Sequence, residues 1–204
     1  MNLRFAHESE FRGFVSALRE RMSALEPRRI PNEKLRDSAV LIPIFNKNNE
    51  ACVLVTKRTD TVATHRGQMA LPGGACDPSD GSRLITALRE TEEEVGILRD
   101  HVEVIGEFDE FMSIAGFHVA TFVGIVPYPY EYVFNPGEIE SYVEAPLSLF
   151  LERKYDRIEK YNFNGTDYNV YFYAYEGFQI WGLTARILTD FAGRVLQDTA
   201  GRPD

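Results

Sequence analysis

Three glutamates, Glu90, Glu93 and Glu94, stand at i, i+3 and i+4 in the run LITALRETEEEVGI. In a helix these positions share one face, within an arc of about 100°. Like charges so spaced repel and cost an isolated helix stability. A divalent cation removes that cost. Clustered carboxylate oxygens are the hard ligands Mg²⁺ prefers, and Mg²⁺ keeps further positions for water and phosphate oxygens. The spacing therefore points to metal-assisted chemistry on a phosphorylated substrate. The bland alternative is a solvated acidic face, the usual meaning of a charge run.

The elements that must hold this face are legible around it. Leu84, Leu88, Thr91 and Val95 follow the same period on another side, so one face can pack while the other gathers acids. Pro72, Gly73, Gly74, Pro78 and Gly81 make 71–82 a turn-rich loop entering the helix, with Asp80 or Ser82 as its N-cap. Gly96 stands at the helix end. Glycine lets backbone approach a ligand closely, so a carbonyl of the Gly73-Gly74 pair could join the glutamates as a metal ligand.

Gly74, five residues, Asp80, eight residues, then Arg89-Glu90-Thr91-Glu92-Glu93-Glu94-Val95-Gly96-Ile97 resembles the box of the Nudix hydrolases. The departures are Asp80 for a glutamate, one extra residue before the arginine, and Thr91 at a hydrophobic position. The first two are similar to the coenzyme A pyrophosphatase branch. That branch's upstream signature is matched by Leu54, Thr56, Arg58, His65, Gly67, Gln68, Pro72, Gly73 and Gly74, whereas Thr59, Ala63 and Leu71 depart from it. Ala63 stands where an arginine is expected, and arginine suits phosphate recognition. Asn135-Pro136-Gly137-Glu138-Ile139, Pro146-Leu147 and Ile180-Trp181-Gly182-Leu183-Thr184-Ala185 resemble family segments further on, so the likeness covers 36–195.

The resemblance implies an α/β Nudix fold, a mixed β-sheet sandwiched between α-helices. It implies a Mg²⁺- or Mn²⁺-dependent hydrolase cleaving the diphosphate of coenzyme A or its derivatives to 3′,5′-ADP and 4′-phosphopantetheine. The alternatives are a hydrolase of nucleoside-diphosphate sugars or ADP-ribose and a non-catalytic binding module. Glu90, Glu93, Glu94 and the Gly74 carbonyl are the expected metal ligands. Glu93, Glu94 and the loop residue Glu138 are the expected catalytic groups, with Glu140 second to Glu138. Arg58, His65, Arg66 and Gln68 are the expected substrate contacts. Arg89 is expected to point away from the ligand face and act structurally through Asp80, while a helix-start acid is the plain alternative for Glu138.

The 204 residues, 44% hydrophobic and 12% aromatic, suit one globular unit with a full core. We expect an N-terminal helix and linker over 1–35, the hydrolase domain over 36–198 and a tail over 199–204. A net charge of -9 disfavours nucleic acid as a partner. No apolar run is long enough to span a bilayer, and the first residues lack a secretory apolar core. Cys52 and Cys76 form neither a ligand spacing nor a disulfide framework, so a reducing cytoplasmic setting is the default, with a homodimer an open option.

Along the chain, the 3.6 period predicts a helix over 9–25 and another opened by the motif Ile180-Trp181-Gly182-Leu183-Thr184-Ala185-Arg186 and running through Ile187, Leu188, Phe191 and Val195. Apolar runs predict strands over 38–45 and 51–56, joined as a hairpin by Asn46-Lys47-Asn48-Asn49-Glu50. Further strands are expected over 101–109, 119–126 and 169–176. Glu107, Asp109 and Glu110 read as solvated surface, Trp181 as a core anchor.

Overall fold

The computed structural model describes residues 1–31, 35–59, 67–163 and 165–197. In chain order the elements are α1 (Glu8–Ser23), β1 (Arg36–Lys47), β2 (Glu50–Arg58), β3 (Met69–Ala70), β4 (Gly73–Ala75), α2 (Arg83–Val95), β5 (Glu103–Glu107), β6 (Phe111–Met112), β7 (Phe117–Ile125), β8 (Ile139–Pro146), α3 (Leu147–Leu151), β9 (Arg157–Phe163), β10 (Thr166–Tyr175), β11 (Phe178–Trp181) and α4 (Gly182–Phe191). The larger sheet runs β3-β2-β1-β7-β5, with β4 on β1, β6 on β7 and β8 on β2. β1 and β7 pair in parallel, and the other pairs in this sheet are antiparallel, so it is mixed. β9, β10 and β11 form a second antiparallel sheet.

The buried run of β1 explains its central place. Ala39, Leu41 and Phe45 join the core under α2, while Ile42 and Ile44 join the opposite core with α1, α3 and α4. A strand covered on both faces reads as a continuous apolar stretch, as this one does. The hairpin to β2 closes through Asn48 and Asn49, both at positive φ, the backbone that a two-residue hairpin turn demands. Phe11, Phe14, Leu18 and Met22 of α1 enter the same cluster as Phe191 and Val195.

Helix α2 starts and stops where its residues dictate. The Ser82 hydroxyl accepts the Ile85 N–H at 3.3 Å, and Gly96 ends the helix at φ +73°. Leu88, Thr91 and Val95 are buried. Thr91 takes a hydrophobic position without leaving a lone hydroxyl, because its Oγ1 donates to the Ala87 carbonyl at 2.7 Å. Gly73 and Gly74 are not loop residues. They form β4, paired with Val40 and Ala39 of β1. A Cβ on Gly73 would lie 2.3 Å from the Ala39 carbonyl oxygen, which only glycine avoids.

Two expectations about burial are corrected. Asp109 and Glu110 are not solvated but buried, at 2% and 6% exposure. Arginines from three distant segments neutralise them: Arg29 and Arg83 donate to Glu110, and Arg194 donates to Asp109. Trp181 is not a core anchor. It is 38% exposed and stacks on Phe172, because the backbone before α4 turns the Ile180 side chain inward instead. Cys52 is buried, which pushes its thiol up to about 12. Among the described residues no helix is long and apolar enough to cross a membrane.

Candidate active site

The three box glutamates occupy three environments. Glu94 is buried, with its carboxylate accepting from Arg58 Nη1 at 2.7 Å and from the Gly73 N–H at 3.1 Å. Burial pushes its pKa up to about 7 against the lowering influence of both donors. Glu90 lies against β4. A Cβ on Gly74 would sit 2.5 Å from its carboxyl carbon, so a glycine there leaves room for the carboxylate. Burial raises Glu90 as well, although Arg89 pulls it down. Glu93 is the open member, its side chain 55% exposed.

Arg89 ties this face together. Its Nη1 donates to Glu90 and to Glu93, each at 2.9 Å. Its other edge grips Asp80, Nε to Oδ1 at 2.7 Å and Nη2 to Oδ2 at 2.9 Å. Asp80 is buried at the end of a short 3₁₀ turn, Pro78–Asp80, and also accepts from the Asp77 N–H and the Thr86 hydroxyl. The Arg89 hydrogen bonds hold the Asp80 carboxyl far below its ordinary range, and the guanidinium is raised in turn. The expectation that Arg89 turns away from the ligand face is corrected. A planar fork with five donors serves Asp80 with one edge and the glutamates with the other, and Glu93 is its i+4 neighbour.

The donor set fits a hard divalent cation. Glu90 and Glu93 already converge on one positive nitrogen, with Glu94 a helical turn from Glu90 and the Gly74 backbone against the Glu90 carboxylate. Among the described residues no three acidic, histidine or cysteine side chains close on a common point. Arg89 and Arg58 hold the acids in separate pairs, so a shared cation requires those pairs to loosen.

A model of the NUDIX domain matches residues 35–163. A Photorhabdus laumondii protein with the name "Uncharacterized Nudix hydrolase NudL" is 39% identical over 169 residues, covering 83% of this chain and 89% of its own length. A Yersinia pestis protein of the same name is 41% identical over 162 residues, covering 78% and 80%. The chain belongs to the Nudix hydrolase family. It is a hydrolase acting on pyrophosphate bonds. A MutT/nudix family protein from Enterococcus faecalis shares the Nudix fold at a TM-score of 0.53 and 14% identity, over 95% of this chain and 76% of its own.

Around the Nudix box, β2 and the segment before β8 bring in the other expected residues. Arg58 ends β2, and its backbone N–H donates to the Gln68 carbonyl at 3.0 Å. Its guanidinium lies 3.8 Å from Glu138 as well as on Glu94. Glu138 precedes a strand, so the helix-start alternative falls away. Glu140 pairs with Lys57 at 2.7 Å. His65 and Arg66 lie outside the described residues.

Asn135 stands in the sequence only as the start of the Asn-Pro-Gly segment, without a site role, yet its hydrogen bonds tie that turn to the box helix. Its N–H donates to the Glu94 carbonyl at 3.0 Å, and its side chain donates to Glu138 at 3.0 Å and accepts from the Gly137 N–H at 3.0 Å. The Asn-Pro-Gly turn chemistry was the available signal, since such an asparagine folds back on its own backbone.

Proposed function

We propose that this Nudix hydrolase is a Mg²⁺- or Mn²⁺-dependent enzyme cleaving the diphosphate of coenzyme A or its derivatives to 3′,5′-ADP and 4′-phosphopantetheine. One observation carries the reading. The segment that resembles the coenzyme A pyrophosphatase signature ends on the box glutamates: Arg58 and the Gly73 N–H both hold Glu94, and Gly74 abuts Glu90. These contacts support reading the described part of the signature and the box as one site.

Glu90, Glu93, Glu94 and the Gly74 carbonyl would hold the cations. Bound there, divalent cations supply charge neutralisation of the diphosphate and acidification of water. The chain's own residues do the rest. Glu93, the most exposed of the three, or Glu138 across Arg58 takes the proton of the attacking water. Attack in line at one phosphorus expels the other phosphate-bearing half. Arg58, poised between Glu94 and Glu138, is the side chain positioned to turn to a substrate phosphate, with Gln68, His65 and Arg66 as further contacts. Arg89, braced by Asp80, orients Glu90 and Glu93. The hydrolase unit is read as 36–198, and α1 packs into the same core.

Ala63, in place of the signature arginine, favours a second reading, hydrolysis of nucleoside-diphosphate sugars or ADP-ribose. The test is a panel of coenzyme A, ADP-ribose and sugar nucleotides with Mg²⁺ or Mn²⁺, products identified by mass. Release of 3′,5′-ADP from coenzyme A at the highest kcat/KM supports the first reading. Preference for ADP-ribose or a sugar nucleotide replaces it with the second.

A further inference from the structure

We propose that the stacked ring pair Phe134–Tyr142 is a platform for the nucleobase of the substrate, an assignment that rests on the diphosphate-hydrolase reading above. The two rings lie 4.8 Å apart between centroids and 25° from parallel. Tyr142 is 40% exposed, so one part of its ring is open to a ligand. Tyr132 braces it edge-on at 5.3 Å and is itself anchored, its hydroxyl donating to Glu144 at 3.1 Å. The platform is therefore rigid before a ligand arrives, which spares the cost of ordering it.

Its place ties it to the chemistry. Phe134 immediately precedes Asn135, whose N–H bonds the Glu94 carbonyl. Tyr142 lies opposite Thr56 of β2, and Arg58, which holds Glu94, stands two residues further along that strand, past a register shift between Lys57 and Arg58. Glu138 lies in the turn that Asn135 closes, its carboxylate accepting from the Asn135 side chain. The ring pair thus adjoins, through Asn135 and through β2, the two segments that contact Glu94.

The chemistry of the ligand fits. A nucleoside diphosphate carries a flat π-system at one end and its anionic bridge at the other. The net charge of -9 repels the bridge, whereas stacking of the base is indifferent to that charge. Stacking tolerates any base, so the platform places the substrate rather than choosing between bases.

The experiment uses the full chain, calorimetric titration with ADP and, as a base-free control, inorganic pyrophosphate, both with Mg²⁺. The removal of one stacking ring lowers affinity by roughly tenfold. Tyr142→Ala is expected to weaken ADP binding by about that factor and leave pyrophosphate binding unchanged, with Tyr142→Phe restoring ADP affinity. Tyr142→Leu keeps the side-chain bulk should the alanine variant melt early. Unchanged ADP affinity in the alanine and leucine variants overturns the proposal, as does a parallel loss for pyrophosphate. Failure to turn over coenzyme A would remove the proposed substrate and leave the ADP-to-pyrophosphate ratio standing. An unaltered ratio removes the platform whatever substrate is cleaved.

Discussion

Replacing Glu110 with glutamine tests whether a buried charge network joins the N-terminal segment to the box helix. Glu110 accepts from Arg83 at 2.7 Å, from Arg29 at 3.1 Å and from the Ile30 N–H at 2.7 Å, and its second oxygen lies 2.9 Å from His118 Nε2. Asp37 faces Arg83 and His118, and Glu107 shares Arg29. Burial works to raise the Glu110 pKa, but the Ile30, His118, Arg83 and Arg29 hydrogen bonds outweigh it and bring it from 4.5 to about 2. That difference is worth roughly 3 kcal/mol of stability at neutral pH. The sign follows from a folded pKa below the unfolded one: the stabilisation is full above 4.5 and is lost as pH falls towards 2. Urea unfolding of the wild type and Glu110→Gln at pH 7, 5, 4 and 3 reads it. The wild type should exceed the variant by about 3 kcal/mol at pH 7, and the gap should narrow steadily below pH 4.5. Parallel stabilities across the whole range, or a gap under about 1 kcal/mol at pH 7, would refute the reasoning.

Three further outcomes follow from the site. Glu93→Gln should lower kcat by about 10² or more while leaving the melting temperature close to wild type, because the side chain is half exposed; full turnover would remove Glu93 from the mechanism. Asp80→Asn should cost about 3 kcal/mol in urea unfolding and also slow turnover, since it strips the buried partner from Arg89; unchanged stability would end the bracing role. Gly73→Ala and Gly74→Ala should separate fold from site. The first drives a Cβ into the Ala39 backbone and should prevent normal folding. The second meets the movable carboxylate end of Glu90 first, and should fold but bind Mn²⁺ more weakly in a titration followed by water-proton relaxation.

Much of the fold was legible. The apolar runs of β1, β2 and β7 and the period of α1 and α2 appear at nearly their expected bounds, because burial on a fixed face leaves a fixed repeat, whereas α4 begins only at Gly182 because Ile180 and Trp181 belong to β11. Less was legible where long side chains choose partners. Arg89 and Glu93 are helical neighbours in any reading, but the reach of Arg89 to Asp80 depends on a 3₁₀ turn and a strand folding back over the helix. Asp109 and Glu110 carry no local mark of burial, since their arginines come from 29, 83 and 194. Trp181 misled for the same reason: hydrophobicity ranks a residue, and only neighbouring backbone decides which side faces inward.

The linear order of residues determined the family, the helix that presents Glu90, Glu93 and Glu94, and the glycine pair that lets backbone approach them. Those depend on spacing and backbone freedom, which are local. The tertiary structure alone decided which cation each acid meets, that Glu94 is buried while Glu93 is open, and that Asn135 bonds the Glu94 carbonyl. Charge pairing and desolvation act through space, and the distances that set them come only from how the sheet and helices are packed.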